Sequence, residues 1–395
     1  MVWPGIGTVT AAAAAVAAET KNSNNHRPVR LAFFVNIFYY WSLLFLILFP
    51  AVVLADCECG YSLDVDTHQY VFTDLVESNF ARLRDISRDT DWARQAFNLT
   101  KDKARGDYGE MFAVDNIAAN PSSDGGEGVT AGLQLVVRNQ LVDGMVPVAE
   151  IDTERLDLYW GTFRASIKVT DVPGTCAAFF WYFNDTQEID MEFLSKDFNP
   201  SNKSYPVNLV LQSRESAAAG YNAQSTGNFI KAYLPFDPTT AFHEYRIDYF
   251  PGQVFFYADG LLLGTMKGAA VPTSPGHLIL QHWSNGNVLW SGGPPAEDAV
   301  LTIGYVKAYF NSSSTQRVQD WANRCKEAAG QNAICVIPTL DGTNPSPGDW
   351  FFSDHDNMTN NQTVYRESGG ARLRGVWWLM AVVLVVACGW TMELW

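Results

Sequence analysis

The stretch Glu188-Ile189-Asp190-Met191-Glu192-Phe193 decides how this sequence folds and where its chemistry lies. Side chains of a β-strand alternate between its two faces, so the three carboxylates share one face and the three apolar side chains share the other. Like charges on one sheet face repel one another, which costs stability unless the groups share protons or serve a site. The alternation predicts an interior strand with an acidic face, although it also suits an ordinary half-exposed strand.

The residues just before this strand are apolar and aromatic. The run Ala177-Ala178-Phe179-Phe180-Trp181-Tyr182-Phe183 continues the apolar face, so we expect a buried sheet with an acidic cleft above it. Two carboxylates flanking a cleft are what glycosidic bond cleavage requires. Glu188 and Glu192 lie two pleats apart on one face, so we expect their long side chains to converge to the roughly 5 Å of a retaining mechanism.

The rest of the central sequence consists of short strand patterns separated by Gly and Pro. Residues 158–169, 207–212 and 300–310 are strand-like, and little of this part has helical periodicity. This pattern predicts an all-β sandwich or barrel.

Two stretches in the expected order resemble glycoside hydrolase family 16. The Glu-x-Asp-x-Glu pattern at 188–192 resembles the catalytic strand of that family in its regular, bulge-free form. Residues 242–260 resemble its second conserved stretch, in which a strand runs into Pro251-Gly252 and then into an aromatic strand that ends at Asp259-Gly260. The resemblance covers about residues 60–312, and within the family the sequence resembles the fungal cell-surface members.

The resemblance implies a concanavalin A-like β-jelly roll of two curved antiparallel sheets. It also implies that Glu188 is the nucleophile, Asp190 its electrostatic helper and Glu192 the general acid/base. Asp190 is placed to share a proton with Glu188 and to hold Glu192 protonated by like-charge repulsion. No cofactor is required; many family members bind a structural calcium, but the sequence shows no ligand set for one, and no other metal site is predicted.

Several side chains are candidates for sugar binding, because aromatic faces stack on sugar rings while amides and imidazoles bond the hydroxyls. They are Trp181 beside the catalytic strand and, in the loop around 281–295, His282, Trp283, Asn285 and Trp290. The alternative for Trp283 and Trp290 is a core tryptophan.

The composition of the 395-residue chain limits the partners. A net charge of −15 argues against nucleic acid and anionic membrane surfaces, but is compatible with an uncharged polysaccharide, and it also simply favours solubility. Hydrophobic residues make up 47% and aromatic residues 13%, enough for one large core with aromatic side chains left for a binding surface. We expect a monomer.

The chain divides by composition into six segments. They are a disordered leader (1–30), a signal peptide or signal anchor (31–55), the catalytic jelly roll (56–315), a disulfide-closed extension (316–338), a polar stalk (339–370) and a terminal apolar segment (371–395). The last resembles a lipid-anchor (GPI) attachment signal, with a transmembrane helix as the alternative. These terminal apolar segments predict entry into the secretory pathway and a membrane-anchored location at the cell surface or wall.

A secretory chain should carry disulfides and N-glycans. Cys325 and Cys335 enclose a short loop and are predicted to pair, while Cys176 is a partner for Cys57 or Cys59. The candidate glycosylation sites are Asn98, Asn202, Asn311, Asn357 and Asn361.

Three functions are compatible with these features. The first is a retaining endo-β-glucanase or glucan-remodelling enzyme that acts on cell-wall β-glucan. The second is a transglycosylase that joins glucan to chitin or to glucan through the same covalent intermediate. The third is a non-catalytic lectin on the same fold, which the intact set of carboxylates disfavours.

Overall fold

The structure is a computed structural model that describes residues 56–121, 131–340, 350–355 and 358. The predicted leader and signal segment (1–55), the terminal apolar segment (371–395) and most of the predicted stalk lie outside these residues. Within the described part of the chain, no helix is long and apolar enough to cross a membrane.

The described elements are almost all strands. In chain order the strands are β1 (Gly60–Val65), β2 (His68–Phe72), β3 (Asp74–Asn79), β4 (Trp92–Arg94), β5 (Phe97–Leu99), β6 (Gly109–Phe112), β7 (Ile117–Asn120), β8 (Gly132–Val137), β9 (Met145–Thr153), β10 (Leu158–Lys168), β11 (Cys176–Asn184), β12 (Gln187–Leu194), β13 (Pro206–Gln212), β14 (Phe229–Tyr233), β15 (His243–Phe250), β16 (Gln253–Ala258), β17 (Leu261–Lys267), β18 (His277–Trp283), β19 (Ala299–Ser312) and β20 (Ile334–Val336). The α-helices are α1 (Lys101–Ala104), α2 (Arg214–Ala218) and α3 (Thr315–Arg324). Short 3-10 turns occur at Ile86–Arg88, Val114–Asn116, Ser195–Asp197, Pro200–Asn202, Ala223–Thr226 and Phe352–Asp354.

Two large sheets form the body of the protein. One has the order β14-β13-β12-β11-β18-β9-β6-β5, with β4 added beside β9; the other has the order β17-β16-β15-β10-β19-β8-β7, with β3 added beside β19. Neighbouring strands in both sheets are antiparallel except for the pair β6–β9. The expectation of an all-β jelly-roll sandwich is therefore confirmed.

The core lies between the two sheets. It contains Ile189, Met191 and Phe193 of β12, which are at most 1% exposed, and Phe163 and Ile247 of the opposite sheet. Period-two alternation supplies these residues to the core and sends the residues between them to the other face. The face of the nine-stranded sheet that is turned away from this core is called the site face below.

A small third sheet, β2-β1-β20, packs on the outer face of the eight-stranded sheet. Its last strand, β20, pairs in parallel with β1, with Tyr61 opposite Cys335. Helix α3 contacts the segment just before β1: the Trp321 indole donates to the carbonyl of Cys59 over 3.1 Å. The extension at 316–338 therefore folds back onto the first strand of the domain.

The cysteine pairing differs from the predicted one. The disulfides join Cys57 to Cys335 and Cys59 to Cys325, so the predicted Cys325–Cys335 bridge is wrong. The segment before β20 pairs with the segment before β1, since Cys57 N–H donates to the Asn332 carbonyl and Cys59 N–H to the Ala333 carbonyl, so Cys57 and Cys59 lie near the extension. Cys176 is a buried free thiol in β11, so its predicted pairing with Cys57 or Cys59 is wrong as well.

The predicted glycosylation sites remain predictions. Asn98 and Asn202 are exposed, whereas the Asn311 side chain is half-buried and its oxygen accepts from the backbone N–H of Thr73 over 3.3 Å. Asn357 and Asn361 lie outside the described residues.

The disulfide pairing can be mapped directly. We expect digestion of the unreduced protein after Glu58 and Lys326 to give two linked products, one containing Cys57 with Cys335 and one containing Cys59 with Cys325. Reduction should lower the free energy of unfolding by about 2–5 kcal/mol per bridge, because each bridge closes a long loop of the unfolded chain. Cys176→Ala is the matched control and should leave both linked peptides unchanged, whereas a peptide linking Cys325 to Cys335 would contradict the structure.

Candidate active site

Strand β12 presents the three carboxylates together on the site face. Glu188 and Glu192 are partly exposed and Asp190 is buried, while the apolar residues between them are in the core. The alternation predicted from the sequence is thus confirmed, and the carboxylates line the outer side of an interior strand.

The strand is paired without a bulge on both sides over residues 188–192. In β11, Tyr182, Phe180 and Ala178 lie opposite the three carboxylates, and β13 pairs with equal regularity. Residues four apart in a strand are separated by about 13 Å at their Cα atoms. The two glutamate carboxyl groups therefore approach each other only by leaning toward Asp190 between them.

The pKa values of all three carboxyl groups lie above their usual range. Burial is the main cause that raises the pKa of Glu188 to about 7, and a hydrogen bond from Asp190 lowers it in part. Burial, followed by the charges of Glu188 and Glu192, raises the pKa of Asp190 well above its usual range. These effects favour the protonated form of Asp190, and its hydrogen bond to Glu188 favours the carboxylate form of Glu188.

Opposing effects set the pKa of Glu192. Burial, and then the charge of Glu188, raise its pKa to about 7, while hydrogen bonds from Trp290 and Cys176 lower it. The charge that raises the pKa of Glu192 is that of Glu188, and not that of Asp190 as we expected. A group that titrates near pH 7 can both donate and accept a proton at that pH.

Trp290 lies beside Glu192, and its predicted contact with sugar stays a prediction. Its indole Nε1–H donates to Glu192 Oε1 over 3.2 Å, and the Cys176 thiol lies 3.7 Å from the same oxygen. Both donors therefore hold one oxygen of Glu192, which leaves the other oxygen for a ligand. The Phe229 ring lies 6.3 Å from the Trp290 ring and widens the aromatic surface at this end of the site.

Two predicted sugar-binding residues are core residues. Trp181 lies opposite the buried Ile189 and is itself fully buried, and its indole donates to the carbonyl of Leu158 over 3.2 Å. It is thus on the wrong face of the sheet to reach a sugar.

His282 is also on the core side. It is fully buried, with Nδ1 2.9 Å from the Leu135 carbonyl and Nε2 3.0 Å from the Thr175 hydroxyl. Burial lowers the pKa of His282 to about 4, so the ring is a neutral structural group.

Asn285 builds the loop that carries Trp290 instead of facing the cleft. Its amide donates to the Ala104 carbonyl over 2.6 Å, and its side-chain oxygen accepts from Asn287 N–H and the Ser291 hydroxyl. Trp283 is half-buried beside Cys176 in the neighbouring strand and remains a candidate for sugar contact.

The sequence reasoning missed two groups of site residues. One is a second acidic row on β9, where Glu150 accepts from the Gln281 amide and Asp152 follows two residues later on the same face. Burial is the main cause that raises the pKa of Glu150 to about 8. A pattern in the sequence indicates this row, because acidic residues stand at alternate positions at the end of the stretch 146–152.

The other missed group is on loops. Arg105 follows α1, and its charge lowers the pKa values of both Glu188 and Glu192. A cavity of about 460 Å³ opens beside Arg105, lined also by Lys101 and Asn287. No local pattern in the sequence marks a loop residue such as Arg105 for this position.

Among the residues that the structure describes, no group of three or more His, Cys, Asp or Glu side chains is arranged to hold a metal ion. The expectation of a structural calcium stays untested.

Comparison with known proteins gives matches over the same part of the chain. Residues 132–307 match the model of the glycosyl hydrolases family 16. A beta-glucanase of Paenibacillus polymyxa is 30% identical over 139 residues, which cover 34% of this chain and 52% of that protein. The xyloglucan endotransglucosylase/hydrolase protein 2 of Arabidopsis thaliana is 32% identical over 143 residues, which cover 34% of this chain and 44% of that protein.

The chain thus spans about half the length of the curated relatives it matches. Among solved structures, the endo-beta-1,3-glucanase of Pyrococcus furiosus superposes with a TM-score of 0.48 at 17% identity, covering 64% of this chain and all of that one.

Trp290 should control the titration of Glu192. The indole N–H stabilises the charged form of Glu192, so Trp290→Phe, which keeps an aromatic ring but removes the donor, should raise the pKa of Glu192 above about 7. The loss of one hydrogen bond to a charged group corresponds to roughly one pKa unit. The measurement is a ¹³C NMR titration of the glutamate side-chain carboxyls, with Glu192→Gln to assign the signal.

The matched control is Trp283→Phe, which changes a neighbouring half-buried indole on the same sheet. Trp283→Phe should leave the pKa of Glu192 unchanged. An unchanged or lowered Glu192 pKa in Trp290→Phe would contradict the assigned hydrogen bond.

Proposed function

We propose an activity from the premise that this chain belongs to glycoside hydrolase family 16, whose model matches residues 132–307. The protein is a retaining endo-β-glucanase or glucan-remodelling glycoside hydrolase whose substrate is a cell-wall β-glucan. The observation that carries this proposal is the set of three carboxylates on one face of β12, with one protonated acid between two glutamates that titrate near pH 7.

The first chemical step forms a covalent intermediate. The Glu188 carboxylate attacks the anomeric carbon while Glu192 donates its proton to the departing glycosidic oxygen, so that one C–O bond forms as another breaks. The Asp190 hydroxyl donates to Glu188 before the attack, which orients the nucleophile and spreads its charge. Trp290 and Cys176 hold one oxygen of Glu192, so its other oxygen is free to face the leaving group.

The second step reverses the proton transfer. Glu192, now a carboxylate, removes a proton from a water molecule, and the resulting nucleophile displaces Glu188 from the anomeric carbon. Two displacements at one carbon return the original β-configuration. The pKa of Glu192 near 7 suits both of its roles at neutral pH.

The disulfides support an extracellular substrate. Two disulfides tie the first described strand to the extension after β19, and such bridges are typical of proteins of the secretory pathway. We infer that the protein acts at the cell surface, anchored through a terminal apolar segment.

The catalytic roles can be tested by removing one carboxylate at a time. Glu188→Gln should abolish release of reducing ends from β-1,3- and β-1,3-1,4-glucans, because the amide cannot form the glycosyl ester. Glu192→Gln should lower kcat by about 10²–10⁴-fold, the usual contribution of a general acid/base.

Glu215→Gln is the matched control, because it neutralises a carboxylate in α2 outside the described set. It should keep wild-type activity, and all three variants should have the circular dichroism spectrum of the wild type. Retained turnover in Glu188→Gln would exclude the mechanism, and glucan binding by the wild type without any turnover would indicate a lectin.

A second candidate, transglycosylation, is favoured by the surface beside Glu192. Val288 and Leu289 directly precede Trp290 in the sequence. Val288 is 75% exposed and Leu289 is 83% exposed. Glu192 protonates the leaving group, so an acceptor sugar arrives on its side of the cleft. An apolar rim there offers a stacking surface and disfavours water. The plant relative named as an endotransglucosylase/hydrolase also supports this candidate.

Hydrolysis and transfer can be separated with a labelled acceptor. If transfer is the main activity, incubation with β-glucan and a fluorescent glucan or chitin oligosaccharide should move the label into products longer than the acceptor. Glu188→Gln is the control and should yield no labelled product. Free reducing ends without labelled product would exclude transfer as the main activity.

A further inference from the structure

Two loops meet above the site face. The Arg105 guanidinium carbon lies 4.3 Å from the centre of the Tyr221 ring, a cation–π contact between the loop that follows α1 and the loop that follows α2. This contact is called the bridge below.

The strand order shows that the bridge crosses the site. Arg105 precedes β6, Tyr221 follows β13, and four strands lie between β13 and β6 in the sheet, including β12 with its carboxylates. Neighbouring strands are about 4.8 Å apart, so five such intervals separate the two strands by about 24 Å. Two loops whose strands are this far apart touch only if at least one of them extends inward across the sheet.

Each end of the bridge is fixed by other contacts. On one side, Asn287 donates to the carbonyl of Arg105 over 3.2 Å, and Asn285 donates to that of Ala104. On the other side, the Tyr221 hydroxyl donates to Asp185 Oδ2 over 3.2 Å, in the turn between β11 and β12. Tyr182, which lies opposite Glu188, donates to the other oxygen of Asp185 over 2.7 Å.

The position above the carboxylates has electrostatic support. The Arg105 charge acts on both Glu188 and Glu192, which are at opposite ends of the acidic set. Arg105 is exposed and Tyr221 is half-buried, so the bridge is on the solvent side of the site. It therefore lies where a polysaccharide chain would have to pass.

We infer that Arg105 and Tyr221 determine the chain-length specificity of the site. With the bridge closed, a short oligosaccharide enters from an open end of the cleft, whereas an internal segment of a long glucan enters only after the bridge opens. This inference rests on the proposed function, since it concerns how a β-glucan reaches Glu188 and Glu192.

The bridge is weak enough to open during turnover. An exposed cation–π contact shifts an equilibrium by about 2- to 5-fold. Removing it should therefore speed entry of long chains by about the same factor, while entry of short chains stays as it was.

The test compares a long soluble β-1,3-1,4-glucan with the tetrasaccharide of the same linkage. For each variant, the ratio of kcat/KM on the polymer to kcat/KM on the tetrasaccharide is measured. A change in the chemical step affects both substrates equally, so it cancels in this ratio. The change in the pKa values of the glutamates that follows loss of the Arg105 charge is one such effect. Tyr221→Ala and Arg105→Ala should each raise the ratio by about 2- to 5-fold.

Two further variants sharpen the result. Tyr221→Phe keeps the ring under Arg105 and loses only the hydroxyl that bonds Asp185, so it should raise the ratio less than Tyr221→Ala does. Arg214→Ala removes an equal charge from α2, in the segment between β13 and Tyr221, and should keep the wild-type ratio. A thermal melt of each variant establishes that the fold is intact.

The outcomes separate this inference from the proposed function. Turnover of both substrates with an unchanged ratio in Tyr221→Ala and Arg105→Ala would overturn the role of the bridge and leave the glycosidase assignment intact. Failure of the wild type to cleave either substrate would overturn the proposed function, and the role of the bridge with it.

Discussion

The burial of alternate side chains of β12 is the constraint on which the site depends. Ile189, Met191 and Phe193 are at most 1% exposed, and burying each such side chain contributes about 1.5–3 kcal/mol. A shift of register by one residue would place all three in solvent and the carboxylates in the core, so the register is strongly specified. The same burial holds Glu188, Asp190 and Glu192 together on the outer face, where they would otherwise repel one another. The hydrophobic core therefore supplies the free energy that keeps an acidic cluster assembled.

The proximity of these carboxyl groups then differentiates them. Three isolated carboxyl groups in water would titrate at similar pH. Here burial and then mutual repulsion raise the pKa of Asp190 well above its usual range, and burial raises the pKa values of Glu188 and Glu192 to about 7. The protonated Asp190 converts a repulsive contact into a hydrogen bond to Glu188. Glu192 receives its hydrogen bonds from Trp290 and Cys176 instead. One acidic strand thus holds a nucleophile-like carboxylate and a group suited to proton transfer, because their neighbours differ.

Local periodicity in the sequence was enough to predict the sandwich, strand β12 and its acidic face, since these depend on residues close together in the chain. It failed for Trp181, because every residue from Ala177 to Phe183 is apolar or aromatic, and such a run does not show which side chains face the core. The pairing of Cys57 with Cys335 could not be predicted either, because it depends on the parallel contact of β20 with β1. The paired residues Gly60 and Ile334 are 274 positions apart, so no local pattern links them. Arg105 and Tyr221 were missed for a similar reason: their contact follows from the order of strands in the sheet.

Asn285 shows how these distant segments act as one unit. We predicted that it binds sugar, but it is 3% exposed and joins the loop of Trp290 to the loop of Arg105 through its bonds to Ser291 and Ala104. The donor that holds Glu192 and one end of the bridge over the site are therefore fixed by the same buried amide. A buried amide without partners would be costly, so this position requires all of its hydrogen bonds at once. The positions of the Trp290 loop and of the Arg105 loop are consequently set together, by a residue that is almost fully buried.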